Sequence, residues 1–507
     1  MDAKMPSVSS TSHSLGRNAL WSLIGLVSPL PLALITVPIL TRALGTDRFG
    51  IFALMLAVVG YSSFLDLGVG RALTKIVSKE VGEGTMSLGS LIWTAILGLG
   101  LLGLVGTIVL AFLSPLIVRD VMRIPENLQV EANTALRVMA LSVPFVTMTS
   151  GLRGVLEAHQ RFREVSLLNS LLGVALLAAP VVSLAFSVSL ATIALSILVA
   201  RVAGLLGYLA MVRRYANVSS PSRVLSVAYM RPLLRIGGWM TVSNVIGPFL
   251  TYFDRFVIGA VSSVSAVAFY TVPYDIITRL SVFPSALSTV MFPAISRSHG
   301  RDQPESVRII SWGLNKAFLL MFPLAVCAMF LAPDFLLYWM GPAFQRESTG
   351  VMQWLAAGLL VNALAQTPFV FLQGAGRPDL TAKLHTAELI PYIGLLVMLV
   401  TRFGVTGAAA AWTIRAFVDG ILLLWMSRWL LDERTDALAR VLVFSGATVV
   451  LLVISQFPLS LMQRVSFLAV IAACFLPIAW LQLLSASERG ALLVRLRQIR
   501  PAEEAVT

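Results

Sequence analysis

Charge is scarce in this chain of 507 residues: Asp, Glu, Lys and Arg together make up 12%, where an ordinary globular domain carries about 25%. That deficit excludes a soluble domain. No stretch alternates apolar and polar residues as a membrane barrel requires. Cysteine is nearly absent, and Cys327 and Cys474 both fall inside apolar runs. They read as small core residues, not as a disulfide framework or a metal site. The four histidines, His13, His159, His299 and His385, are scattered and form no recognisable ligand cluster. Neither a Walker A sequence nor H-E-x-x-H occurs, so nucleotide-driven transport within the chain and zinc hydrolysis lack support. Gly98, Gly100 and Gly103 do spell G-x-G-x-x-G, but inside an apolar run. Close helix packing explains them better than a dinucleotide loop. Residues 1–17 show no A-x-A-like cleavage site after a short apolar core, so the first apolar run is expected to stay as a helix. No cofactor and no metal is expected.

What the chain has in abundance is apolar length. It is 57% hydrophobic, with a mean hydropathy of +0.85. Fourteen apolar stretches fill nearly all of it: Asn18–Ile39, Gly50–Val69, Leu88–Ile117, Thr134–Leu152, Val165–Ala185, Leu190–Met211, Ile236–Ile258, Ser263–Met291, Ala317–Ala332, Val351–Leu372, Leu384–Thr401, Thr406–Leu424, Val441–Phe457 and Phe467–Leu484. A helix needs about 20 mostly apolar residues to cross the hydrocarbon core, where its backbone groups must be satisfied within the segment. The expectation is therefore an all-α, polytopic membrane protein with about fourteen transmembrane helices.

The net charge of +13 is placed by topology. With the N-terminus on side one, 26 of the 38 Lys and Arg residues fall on that side, seven on the other and five inside the runs. The excess of basic residues marks the cytoplasmic side and puts both termini there. No nucleic-acid partner is expected. Short connections also argue against a membrane glycan polymerase or glycosyltransferase, which needs a substantial outer loop to hold an acceptor and a catalytic acid. The longest outer segments, Arg119–Ala132 and Pro333–Gly350, contain no D-x-D pair. No enzymatic activity is expected.

Two regions resemble each other. SVPFVTMTSGLRGVLEAHQRFREVSLLNSLLGVALL from Ser142 aligns with NALAQTPFVFLQGAGRPDLTAKLHTAELIPYIGLLV from Asn362, and the runs from Leu190 and Val405 match beyond them. Runs 1–6 and 7–12 are read as a duplication, with two runs added. The resulting division is a cytoplasmic segment 1–17, a six-helix bundle 18–212, a linker 213–235, a second bundle 236–427, two further helices in 428–485 and a basic tail 486–507. Both bundles start on the cytoplasmic side, which makes a parallel repeat about the membrane normal, as in transporters that rock around a site between their halves.

The turn TRALGTDRFGIF at Thr41–Phe52, the stretch YFDRFVIGAVSSVSAVAFY at Tyr252–Tyr270 and the turn FLQGAGRPD at Phe371–Asp379 carry a family likeness. Together with the opening from Asn18, they resemble polysaccharide flippases of the Wzx type. These belong to the multidrug/oligosaccharidyl-lipid/polysaccharide exporter superfamily. The resemblance implies a flippase of the bacterial cytoplasmic (inner) membrane that moves a polyprenyl-pyrophosphate-linked oligosaccharide to the periplasmic leaflet by alternating access. Membrane lipids, and a polysaccharide polymerase with its export machinery, are the implied partners. A drug or cation exporter of the same superfamily is the alternative. It would favour acidic residues in its cavity.

Ionisable groups inside the runs are the candidate site, since each is costly in lipid unless paired or hydrated. Arg201 and Arg415 sit near mid-run, one position apart in the repeat alignment. Guanidinium forks match the tetrahedral oxygens of pyrophosphate and keep their proton on burial. These two lead the substrate-binding candidates, followed by Arg279 and Arg255. Asp275 with Arg279, and Arg415 with Asp419, are four apart, a spacing that permits pairing along one helix. Glu388, Asp66, Asp275 and Asp419 are the candidate ion-coupling carboxylates, weighed against hydrated structural roles. Tyr61, Tyr252, Tyr270 and Tyr274 would stack on sugar rings or anchor at the membrane interface.

Overall fold

The computed structural model describes residues 29–61, 65–83, 88–215, 230–231, 233, 252–298, 303–431, 437–486, 488–490 and 494. Among them no strand occurs. The segment 1–17, most of the linker 213–235, most of the run Ile236–Ile258 and most of the tail 486–507 lie outside the described residues. Among the described residues ten helices are long and apolar enough to cross a membrane, and Ala439–Ser455 is a shorter apolar helix. Their outer faces carry bare apolar side chains such as Phe112 and Ile390, each at least 80% exposed. A lipid solvent accounts for such a surface, because apolar side chains there lose nothing by facing outward.

The Cα packing divides the chain into two compact units: Met1–Asp275 with Leu389–Ala408, and Ile276–Glu388 with Ala409–Thr507. The first holds α1 (Leu30–Tyr61), α2 (Val69–Glu83), α3 (Leu88–Leu116), α4 (Glu126–Ala140), α5 (Val143–Ala158), α6 (Phe162–Ser183), α7 (Leu190–Tyr215), α8 (252–261) and most of α9 (Val264–Arg279). Gly45 breaks α1 at φ 73° and ψ 168°, inside the turn Thr41–Phe52 that separates the first two expected runs. A positive φ there suits glycine, which has no Cβ to clash. Small residues let neighbouring backbones close up. A Cβ on Gly103 would lie 2.5 Å from Pro144 Cα, and one on Gly154 would lie 2.8 Å from Gly70 O. The glycines that mimic a dinucleotide motif thus serve helix packing. The Thr147 hydroxyl donates to Leu99 O at 2.8 Å, and the Thr107 hydroxyl donates to Ala140 O at 2.8 Å. These bonds tie α5 and the end of α4 to α3 without stranding a polar group in the core.

α2 was not expected as a helix. Its residues read as a basic connection, because Arg71, Lys75 and Lys79 interrupt the apolar pattern. In the structure those three line its exposed face, while Ala72, Leu73 and Val77 are buried against the unit's core.

The second unit holds α10 (Val282–Ser298), α11 (Gln303–Met340), α12 (Pro342–Gly374), the two ends of α13 (Pro378–Leu430), α14 (Ala437–Ser455) and α15 (Leu461–Ile478). The expected outer loop Pro333–Gly350 is instead helix on both sides of Gly341, which turns the chain at φ 101°. Asp334 and Arg346 end the apolar run without ending the helix, since polar residues past the lipid boundary are compatible with helical backbone. Gln353, on α12, knits this unit together. Its Nε2 donates to Met329 O at 3.2 Å and Ser455 O at 2.7 Å, and its Oε1 accepts from Gln456 Nε2 at 2.9 Å. Phe318 stacks on Phe444 with centroids 3.8 Å apart, and Phe322 stacks on Phe475 at 4.7 Å, so α14 and α15 attach to α11 through aromatic faces. Beyond α15, Lys316 Nζ donates to Glu488 at 2.6 Å. That bond holds the Glu488 carboxyl well below the usual range, at about 2.

Candidate functional site

Inside the apolar runs, the described ionisable side chains gather mainly in two places, one in each unit. In the first unit, α8 and α9 supply most of the cluster. Arg255 Nη2 donates to Asp275 Oδ1 at 2.7 Å, and the guanidinium lies 5.4 Å from the ring centroids of both Tyr252 and Tyr274. Asp254 is fully buried, with the Tyr270 hydroxyl donating to one oxygen and the Arg255 amide donating to the other at 2.9 Å. Tyr270 and Tyr274 stack at 5.5 Å, one helical turn apart. Gly60 makes room for this group: a Cβ there would lie 2.8 Å from the Tyr252 ring.

Arg201, on α7 of the same unit, is within electrostatic reach of the Tyr252 phenol. Its buried Nε has no hydrogen-bond partner among the described residues. A buried donor left unmade costs about 1–3 kcal/mol. Asp275 turns to Arg255 and not to Arg279, the residue one turn along that the i, i+4 spacing suggested. Arg279 sits in the last turn of α9, where a cation complements the helix dipole.

In the second unit, α13 contributes both of its ends. Arg415 Nη1 lies 3.8 Å from Glu388 Oε2, and His385 Nε2 lies 3.3 Å from Asp419 Oδ1. The His385 ring is parallel to Phe369 within 10°, at 5.9 Å. Both Glu388 oxygens are buried and accept no hydrogen bond from the described residues. Gly404, at φ 58° and ψ −138°, breaks α13 between the residues that meet. Arg201 and Arg415 therefore belong to different units, each with its own set of neighbours.

Asp66 is placed apart from both clusters. Its Oδ1 accepts from Gly68 N at 2.8 Å and its Oδ2 accepts from the Ser150 hydroxyl at 3.2 Å. It thereby shapes the turn into α2 and ties that turn to α5. His385 and Phe369 were not singled out in the sequence. One signal was present: His385 and Glu388 are three apart and so share a helix face. Among the described residues no group of three or more His, Cys, Asp or Glu side chains is arranged to hold a metal ion.

The family model for a polysaccharide biosynthesis protein matches residues 15–299, more than half of the chain. The chain belongs to that family. A second model, MatE, matches residues 240–391. Among its relatives, a "Putative O-antigen transporter" of Shigella flexneri is 30% identical over 416 residues, covering 82% of this chain and 97% of that one. The "Lipopolysaccharide biosynthesis protein WzxC" of Escherichia coli K12 is 23% identical, covering 80% and 79%. The fold is shared with solved transporters. The structure titled "Lipid II flippase MurJ, inward closed conformation" matches with a TM-score of 0.70 at 15% identity, over 92% of this chain and 98% of that one. An inward-facing multidrug resistance MATE family transporter of the MOP superfamily matches with a TM-score of 0.68 at 15% identity, over 84% and 99%. The chain is thus an all-α, multi-pass membrane protein of the polysaccharide biosynthesis family.

Proposed function

We propose that this protein is a flippase for a polyprenyl-pyrophosphate-linked oligosaccharide, working by alternating access in the biosynthesis of a cell-surface polysaccharide such as O-antigen, exopolysaccharide or capsule. The observation that carries the reading is similarity to the Shigella O-antigen transporter along 97% of that protein's length. Translocation makes and breaks no covalent bond, so the protein is not an enzyme. Arg201 is the leading headgroup ligand, because it is half-buried within electrostatic reach of Tyr252 and its buried Nε has a donor still to satisfy. Arg415 and Arg279 supply further positive potential in the second unit. Glu388 and Asp419, held together with Arg415 and His385 on α13, are the leading ion-coupling carboxylates, since their charge balance changes with any proton or cation gained there. The 26-to-7 division of basic residues supports cytoplasmic termini in a bacterial inner membrane. A polymerase and export machinery are its proposed downstream partners.

A drug or cation exporter is the second reading, and the MatE match over residues 240–391 favours it. Reconstituted protein decides between them. A fluorescent polyprenyl-pyrophosphate oligosaccharide should cross the bilayer of protein-containing vesicles, and cationic dyes should not. Arg201→Ala should slow crossing about 10-fold or more, the worth of a charge-assisted bond, while Arg201→Lys rescues only in part because it lacks the planar fork. Normal crossing by Arg201→Ala at equal protein levels would remove Arg201 from the headgroup site.

A further inference from the structure

Arg255 is buried with its charge already matched. Asp275 holds one edge of the guanidinium at 2.7 Å, and Asp254 precedes it in the chain. Two carboxylates face one guanidinium on α8 and α9, so Arg255 has no charge left over for a pyrophosphate. What the cluster offers is acceptors and ring faces. The Asp275 side chain stays 47% exposed while that of Arg255 is 6% exposed, which leaves the carboxylate open to a ligand on the side away from the pair. An ionised carboxylate only accepts, and it binds hydroxyl donors by short, charge-assisted bonds. Tyr252 is half-buried, with its ring 5.4 Å from the Arg255 guanidinium and its phenol within electrostatic reach of Arg201. A sugar ring presents the complement of this pair: hydroxyl donors at its edge and an apolar C–H face that packs on an aromatic ring.

We infer that Tyr252 and Asp275 bind the sugar joined directly to the pyrophosphate, with the unsatisfied Arg201 as their neighbour on the phosphate side. The division follows from charge. Arg201 has no carboxylate partner among the described residues and takes the anion; Asp275 and Tyr252 take the neutral ring next to it. This inference rests on the flippase reading. It makes the same cluster the place where the first sugar is selected.

The test is a ratio of affinities on purified full-length protein in nanodiscs. The probes are bare polyprenyl pyrophosphate and the same lipid carrying N-acetylglucosamine, glucose or galactose. Wild type should hold at least one glycosylated lipid more than about tenfold tighter than the bare one. Asp275→Asn should cut that preference about tenfold, the worth of a hydrogen bond to a charged group. Tyr252→Ala should cut it as well, and Tyr252→Phe should keep it because the ring face remains. Arg201→Ala should weaken both lipids alike and leave the ratio unchanged. Both affinities are read on the same folded fraction, so partial misfolding lowers the amplitude without moving the ratio. If both lipids bind but Asp275→Asn and Tyr252→Ala leave the ratio at its wild-type value, the sugar assignment is overturned and the flippase reading stands. If wild type binds neither, the flippase reading falls and takes the assignment with it.

Discussion

Removing Arg415 should cost this protein far more than removing Arg415 and Glu388 together. The two side chains are 3.8 Å apart and only 13% and 9% exposed. At an effective dielectric constant of about 20, unit charges at that separation attract by about 4 kcal/mol. Glu388 receives no hydrogen bond from the described residues, so its ionised form depends on the arginine. Arg415→Met leaves that carboxylate stranded, and breaking a buried pair in this way typically costs about 3–5 kcal/mol. Arg415→Met with Glu388→Leu removes both charges at similar volume, a change that is often neutral or stabilising. Equilibrium unfolding in mixed detergent micelles, run as a double-mutant cycle, reads the difference. The expected coupling is about 2–4 kcal/mol, with the double variant at or above wild-type stability. Asp419 lies one turn from Arg415 and is kept in all four proteins. If Arg415→Met falls within about 0.5 kcal/mol of wild type, as an ordinary surface change does, the pair is hydrated and the argument from burial fails.

Gln353→Leu should destabilise by about 1–3 kcal/mol in the same unfolding assay, because it strands the hydrogen-bonded partners from α11 and α14; an unchanged stability would mean that water replaces the amide. Gly50→Ala should lower the unfolding temperature and the yield of folded protein, since the added Cβ would lie 1.8 Å from Val264 O on the first turn of α9. Gly446→Ala, which meets nothing within 4 Å, is the control that should leave both unchanged. For orientation, Lys75→Cys on the exposed face of α2 should react with a membrane-impermeant maleimide only after the cell is opened, and Arg119→Cys, whose native side chain is 77% exposed, should react in intact spheroplasts. Reversed labelling would invert the proposed topology.

Apolar length was legible wherever a run was bounded by charge. α6 and α7 begin and end within a few residues of the runs read from the sequence, because Arg163 and Arg213 mark where lipid stops. The breaks at Gly45 and Gly404 also fall in expected turns, where a left-handed backbone needs glycine. Helix that continues beyond the lipid left no such mark, which is why α11 and α12 overran the loop assigned to Pro333–Gly350. α2 was hidden for a related reason: half of its surface is basic, so a window tuned to lipid passes over it. At the site, the sequence identified the ionisable residues and the structure supplied their partners. Asp275 was read against Arg279 on its own helix, but its partner Arg255 comes from α8. The meeting of Glu388 with Arg415 depends on the bend at Gly404, and local spacing carries no information about contacts made across a bend.

Gly341 leaves α11 and α12, of 38 and 33 residues, joined by a single residue. Gln353 meets Met329 across the pair, each twelve positions from that glycine, as an antiparallel hairpin requires. With almost no loop to close, this hairpin forms at little entropic cost and its contacts are local in sequence. Neither helix has slack enough to settle in the bilayer while the other waits outside it. The two must enter as one body during synthesis, so this hairpin is the element around which α14 and α15, emerging later from the ribosome, find their places.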